Sequence, residues 1–264
     1  MPAAQVGSHT FFYDDLGSGL PLLLLTGLGG NRFSWWKQLV PFMAKYRVIN
    51  MDNRDSGDSA LVAEQYTIAD MANDVAGVIQ NLKLGPTNLV GISLGGLISM
   101  ELAIRHPELV KKLILVSAHT GLKSFIPPQP EILGLLGRNE PEDLEARYRR
   151  IYPMFTGKGY MSAQPEDLDQ IVNYAKAKPM LVESYQRQLG AAMVYDALGR
   201  LDKISVPTLV IHGEDDPLVP YANGQYLAEH IKGARLSTYP CVGHLPPIEA
   251  AERFNREVIE FLGQ

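Results

Sequence analysis

Thr87-Asn88-Leu89-Val90-Gly91-Ile92-Ser93-Leu94-Gly95-Gly96-Leu97-Ile98-Ser99-Met100-Glu101-Leu102-Ala103-Ile104 passes from an apolar β-type run into a helical one across a single serine. A serine on a strand-to-helix turn between glycines is the arrangement called a nucleophile elbow. The turn is so tight that side chains two residues either side of Ser93 would collide, and glycine at 91 and 95 removes the Cβ that would do so. The turn also puts the hydroxyl at a helix N-terminus, where backbone N–H groups have no partner inside the helix. Gly-x-Ser-x-Gly alone is a weak pattern. The strand before it and the helix after it give it weight.

Outward from the elbow, β-type runs alternate with helical spacing. The runs are Pro21–Thr26, Arg47–Met51, Thr87–Ile92 and Lys112–Ser117, then Thr208–Ile211 and Arg235–Tyr239. Ile68, Met71, Ala72, Val75, Val78, Ile79 and Leu82 predict a helix that Thr67 or Asp70 caps and Gly85-Pro86 follows. A helix after the elbow ends near His106, before Pro107. Tyr221–Ile231 and Ala250–Leu262 are the late helices, the last with Phe254, Val258, Phe261 and Leu262 on its apolar face. Such alternation means an α/β fold, a parallel sheet covered by helices on both faces.

Between Thr120 and Ser205 the rhythm breaks, over far more chain than the ~2–6 residues of an ordinary strand-to-helix loop. Helices are expected at Glu142–Tyr152, Pro165–Ala177 and Met180–Leu198. The domain reading is therefore a core of residues 1–119 and 206–264 with a helical cap, 120–205. The cap is rich in Met and Tyr. Most of these side chains are expected in its own small core, with a few, Met154 among them, facing down onto the serine.

Composition narrows the function. A net charge of −5 disfavours nucleic acid and anionic membrane as partners. With one cysteine, Cys241, no intrachain disulfide forms and no oxidising compartment is needed. The N-terminal residues lack the basic and apolar regions of a signal peptide, and the apolar run Leu22 to Leu25 is too short to span a bilayer, so a cytoplasmic location is expected. There is no His-x-x-x-His or cysteine cluster, so neither metal nor cofactor is expected. Oligomeric state, monomer or dimer, stays open.

A serine hydroxyl needs a base, and the base needs a carboxylate to fix its tautomer. In a parallel sheet these groups gather past the carboxyl ends of strands. His244, in Gly243-His244-Leu245-Pro246, follows the last strand and is the preferred base. His119, past Lys112–Ser117, is the second candidate and is expected to line the pocket. Gly213-Glu214-Asp215-Asp216-Pro217-Leu218 follows a buried strand. Asp216, held extended by Pro217, is preferred as the acid over Asp215, with Asp52 a poorer choice. Leu94 supplies one N–H for an oxyanion. Leu28, in Thr26-Gly27-Leu28-Gly29-Gly30, supplies the other, and Gly27 and Leu218 are expected in the substrate pocket. No Gly-Lys-Ser/Thr follows that glycine loop, so a nucleotide site is disfavoured.

With elbow, glycine loop, acid and base in the order Ser…Asp…His, the chain resembles the α/β-hydrolase superfamily over nearly its whole length. Asp52-Asn53-Arg54-Asp55-Ser56-Gly57-Asp58-Ser59 looks like a further landmark of that family, and within it the chain is most similar to small capped esterases and enol-lactonases. The resemblance implies a mostly parallel eight-stranded sheet and a triad of Ser93, Asp216 and His244 acting on a small-molecule ester. Thr26-Gly27 departs from the family's frequent His-Gly, so the support of the oxyanion loop must differ. Serine at 93 speaks against the branches that place aspartate there. A rival expectation is an enol-lactonase or C–C hydrolase acting on a carboxylate-bearing compound. That would want one of Arg32, Arg147, Arg149, Arg150 or Arg187 near the serine. A ligand receptor built on the same fold is a third.

Overall fold

The computed structural model describes residues 1–137 and 143–264. Among them eight strands form one sheet: β1 Ala3–Val6, β2 His9–Gly17, β3 Pro21–Leu25, β4 Arg47–Met51, β5 Thr87–Ile92, β6 Val110–Val116, β7 Thr208–Gly213 and β8 Arg235–Tyr239. The spatial order is β1-β2-β4-β3-β5-β6-β7-β8. From β4 to β8 every pairing is parallel. The pairings β1·β2 and β2·β4 are antiparallel, so the sheet is mixed at that edge. These two strands were not read individually from the sequence. In β2, Phe11 and Tyr13 point inward between partly exposed neighbours, the alternation of a strand with one wet face.

β3 lies between β4 and β5, so the chain winds outward from it in both directions. A crevice opens past the carboxyl ends of strands at such a reversal. The two strands that flank it, β3 and β5, lead into the glycine loop and the elbow. The central strands are wholly buried, as helices on both faces require: β5 and β7 expose none of their residues.

The helix Ile68–Asn81 begins as the spacing requires, with both candidate caps in use. Thr67 Oγ1 accepts the Asp70 N–H, and the Asp70 carboxylate accepts the Thr67 N–H at 2.8 Å. It packs with Leu94–Arg105 on one face of the sheet. Ala251–Gly263 buries Phe254, Val258, Phe261 and Leu262 on the other, the four residues its periodicity singles out.

Between β6 and β7 the helices are Pro130–Gly134, Leu144–Phe155, Tyr160–Ala163, Pro165–Ala177 and Val182–Val194. Glu142, the expected start of the second of these, lies outside the described residues. Met180–Leu198 was read too long: the helix runs from Val182 to Val194, and Tyr195 turns extended. Met161, Leu168, Ile171 and Val172 pack together with Ile248 as a small separate core. Ion pairs tie this insertion to the loops past β3 and β4: Arg187 to Asp55 at 2.8 Å, Lys178 to Asp58, and Lys37 to Asp167 at 2.6 Å. Among the described residues, no helix is long and apolar enough to cross a membrane.

Candidate active site

Ser93 sits where β5 ends and Leu94–Arg105 begins, at φ 53° and ψ −118°. A non-glycine residue in that region is strained and persists only when its surroundings impose it. They do so from both sides. The Ser93 N–H donates to Val116 O of β6 at 2.9 Å, and the Ser93 carbonyl accepts from Gly96 and Leu97 at 2.8 and 3.1 Å. A Cβ on Gly91 would lie 2.2 Å from Gly95 O, the collision between arms that the sequence implies. A Cβ on Gly95 would instead meet Leu25 O of β3 at 2.2 Å, so that glycine is required by the neighbouring strand.

Past β7, Asp216 is buried at 5% exposure and Asp215 is exposed. Asp216 Oδ1 accepts the N–H groups of Leu218 and Val219 at 2.9 and 2.8 Å. Its Oδ2 meets His244 Nδ1 at 2.8 Å and His212 Nε2 at 3.3 Å. Burial opposes ionisation of this carboxyl. The field of His244 and the hydrogen bonds from His212 and His244 outweigh it and hold the group down at about 2. Asp216 is therefore a carboxylate across the physiological range.

His244 lies past β8 and is itself 5% exposed. Its N–H donates to Phe155 O at 2.8 Å. The N–H groups on either side of it, Gly243 and Leu245, both donate to the Glu249 carboxylate at 2.9 Å, which also takes the Gly157 N–H at 2.6 Å. The loop is thus clamped from the insertion and from its own following turn. Ser93 and His244 line one pocket, with Gly27, Leu28 and Leu218.

The structure separates the remaining candidates. His119 accepts the Gly121 N–H on Nδ1 at 3.0 Å and packs at a tilt against the Phe125 ring. Burial, then repulsion from His244 and His212, pushes it down to about 4, so it is a neutral ring held by its own loop, and it is not among the pocket residues. Met154 also falls outside the pocket. It points to solvent at 41% exposure, because on Leu144–Phe155 the inward side belongs to Arg147, Ile151 and Phe155. Aromatic lining comes from Tyr148, Tyr152, Tyr174 and Tyr185, with Trp36 against Tyr174. Asp52 is committed elsewhere, to Arg32.

Leu94 is the first residue of its helix, and its side chain is buried at 3% exposure, so only its N–H is left to act. Leu28 is a pocket residue, and Gly27 before it lies against Ser93: a Cβ on Gly27 would be 3.3 Å from the serine Cβ. The glycine loop finds its support in groups that no sequence proximity announces. Asn53 Nδ2 donates to Thr26 O at 3.1 Å, Ser56 Oγ to Gly30 O, and Gln188 Oε1 accepts the Gly29 N–H at 3.2 Å.

Of the five arginines weighed for a carboxylate, Arg32 is tied to Asp14, Asp52 and Asp58, and Arg187 to Asp55. Arg149 and Arg150 are exposed. Arg147 is buried and lines the pocket, with Nη2 donating to Leu135 O at 3.0 Å. Among the described residues, no group of His, Cys, Asp and Glu is placed to hold a metal ion.

A strained serine at a strand-to-helix turn, facing a glycine loop and sharing a pocket with a carboxylate-bound histidine, is the layout of a hydrolase. The family model for the alpha/beta hydrolase fold matches residues 21–251, and the chain belongs to that family. It is 33% identical over 250 residues to the Variovorax paradoxus (strain S110) protein named "Putative carbamate hydrolase RutD", covering 93% of this chain and 92% of that one. The enol-lactonase from Burkholderia xenovorans LB400 superposes with a TM-score of 0.86 at 27% identity, over 100% of both chains. A thermophilic esterase from Thermogutta terrifontis does so at 0.81 and 27%, over 98% of this chain and 96% of that one.

Proposed function

We propose that the protein is a serine esterase that hydrolyses small, largely apolar carboxylic esters through an acyl-enzyme. The observation that carries this reading is the 2.8 Å bond between His244 Nδ1 and a buried, ionised Asp216. A carboxylate on Nδ1 fixes the proton there and leaves Nε2 with its lone pair toward the pocket. Ser93 Oγ attacks the ester carbonyl as its proton passes to His244 Nε2. The carbonyl oxygen, now negative, is received by the N–H groups of Leu28 and Leu94, each worth on the order of 3 kcal/mol. Collapse of the tetrahedral adduct expels the alcohol, which takes the proton from His244. Water then attacks the acyl-serine by the same route and releases the acid. Asp216 stays ionised throughout and stabilises the imidazolium.

The insertion, residues 120–205, acts in this reading as a cap whose tyrosines enclose the acyl or alcohol group. A small-molecule ester is the partner, met in the cytoplasm. Gly27 and Leu218 belong to its pocket; His119 and Met154 do not. The test is hydrolysis of p-nitrophenyl esters from acetate to laurate, with S93A beside the wild type. Turnover that peaks at one chain length and vanishes in S93A supports the reading. Turnover that survives in S93A refutes it.

One observation favours a second reading, a lactone or C–C bond substrate carrying a carboxylate. Arg147 lines the pocket, whose other lining groups are mostly aromatic and aliphatic. If that reading holds, Arg147→Met raises KM for a carboxylate-bearing lactone and leaves KM for neutral esters unchanged.

A further inference from the structure

We infer that Gln188, carried by the insertion helix Val182–Val194, is a positioning residue for the oxyanion donor at Leu28. The inference rests on the serine-hydrolase reading above. It turns on how the two peptide planes around Leu28 are held. The first plane contains Gly27 C=O and Leu28 N–H, which point in opposite directions because the peptide is planar and trans. Gly30 N–H donates to Gly27 O at 3.1 Å, so the direction of the Leu28 N–H depends on Gly30, and hence Gly29 before it, keeping its place. The second plane contains Leu28 C=O and Gly29 N–H. Its N–H donates to Gln188 Oε1 at 3.2 Å, 159 residues away in sequence.

Gln188 is fully buried, and its own orientation is set from the other end: Nε2 donates to Arg54 O at 2.8 Å. The amide cannot turn over without placing its NH₂ against a donor and its oxygen against a carbonyl. Tyr185, one helical turn earlier on the same face, closes the other approach. A Cβ on Gly29 would lie 3.2 Å from its ring, so the ring lies against the glycine, which adopts φ +74°. Ser184 and Arg187 bind Asp55, the first at 3.1 Å and the second at 2.8 and 3.0 Å, and lock the helix to the loop past β4. The insertion therefore reaches the reacting atoms through the backbone, besides walling the pocket.

Without the Gln188 oxygen, the part-buried Gly29 N–H loses its partner and the loop turns to find another. The Leu28 N–H then leaves the point where the oxyanion forms. Such a change penalises the tetrahedral state and spares ground-state binding.

The experiment uses the full-length enzyme and three variants. Gln188→Met keeps the packing and removes both hydrogen bonds. Gln188→Glu, protonated in its buried place, keeps an acceptor for Gly29 and a donor for Arg54 O. Ser184→Ala loosens the same helix without touching the glycine loop. The readouts are kcat and KM for a p-nitrophenyl ester, inhibition by phenylboronic acid as a tetrahedral mimic, and inhibition by the product carboxylate. Expected for Q188M is a fall of roughly 10- to 100-fold in kcat and in boronate affinity, below the ~10²–10³ of losing a donor outright. KM and product inhibition stay within about twofold, since ground-state binding is spared. Q188E retains most of kcat, and S184A stays close to wild type. Should Q188M fail to fold, Q188E against S184A carries the comparison, and a Q188E kcat as low as that of an oxyanion-donor loss overturns the inference. It is overturned equally if Q188M keeps its kcat, if the loss falls on KM, or if boronate and product affinities drop together. Labelling of Ser93 by a fluorophosphonate in the wild type is followed separately. If it fails, the serine-hydrolase reading is at fault, and the inference falls with it.

Discussion

Asp216→Asn is the substitution whose outcome the geometry defines most closely. Two backbone donors, the N–H groups of Leu218 and Val219, face Oδ1 at 2.9 and 2.8 Å. In the variant only the amide oxygen can occupy that side, so the NH₂ is forced into the place of Oδ2. There it faces His244 Nδ1 and His212 Nε2, 2.8 and 3.3 Å from the original oxygen. An NH₂ can bond His244 only if Nδ1 accepts, which moves the imidazole proton to Nε2, where it confronts Ser93. The base is then in the wrong tautomer, and the expected fall in kcat is ~10⁴-fold, about 5 kcal/mol of barrier. His212 resists as well. Its Nε2 also lies 2.8 Å from Val219 O, a bond that needs the proton the NH₂ repels. Among the described residues its Nδ1, buried against Gly224, has no partner, so the other tautomer is poorly received. One frustrated buried contact costs roughly 1–3 kcal/mol, which sets the expected loss of stability. The assay is steady-state hydrolysis of the best p-nitrophenyl ester, with urea unfolding alongside. Asp215→Asn is the control, because that side chain is exposed and should leave the rate near wild type. A D216N enzyme within tenfold of wild type, or a D215N enzyme equally impaired, would refute the reasoning.

Three further outcomes are expected. Ser93→Gly relieves a backbone at φ 53° and should raise stability by about 1–2 kcal/mol while abolishing turnover; Ser93→Ala, still strained, should gain nothing, and equal melting temperatures for the two would contradict the assigned strain. Gly95→Ala drives a Cβ to 2.2 Å from Leu25 O and should prevent folding or cost more than ~4 kcal/mol, whereas Gly263→Ala, with open space around it, should be neutral or better; soluble, stable G95A protein would count against the elbow's packing. The Asp216 carboxyl binds its proton less readily in the fold, at about 2, than at its ordinary 3.8, so its stabilisation is complete above about pH 4 and drains away as pH falls toward 2. The gap between wild type and D216N in urea midpoint should accordingly narrow between pH 5 and pH 3, and a constant gap would show that the group is not held down.

What could be read in the sequence follows the length scale of the interactions. The elbow is local: a strand, a turn and a helix within 18 residues carry their own periodicity and glycines, and Ser93 lands where they require. His244 and Asp216 were legible because loops past buried strands must gather at one end of a parallel sheet. The choice between Asp215 and Asp216 was legible through Pro217, which holds Asp216 extended. Pocket walls were harder. Met154 and Arg147 stand on one helix, and only the packing of that helix decides which of them lines the pocket. Contacts that join distant segments left no trace in the pattern. Gln188 on Gly29 and Glu249 on Gly157 are polar residues whose partners are backbone groups, and a backbone N–H looks alike at every position. His212 lies in β7, and its approach to Asp216 depends on the turn Gly213–Val219 folding back over it. The antiparallel strands β1 and β2 escaped because alternating runs near a terminus resemble ordinary amphipathic chain.

The central claim is that Ser93 is a nucleophile served by His244, and peptide mass mapping after treatment with a fluorophosphonate tests it most directly. The account predicts a single adduct, on Ser93, formed in wild type and slowed by orders of magnitude in H244A, with matching loss of ester turnover. An unmodified Ser93, or an adduct on another residue while turnover is lost, would contradict it.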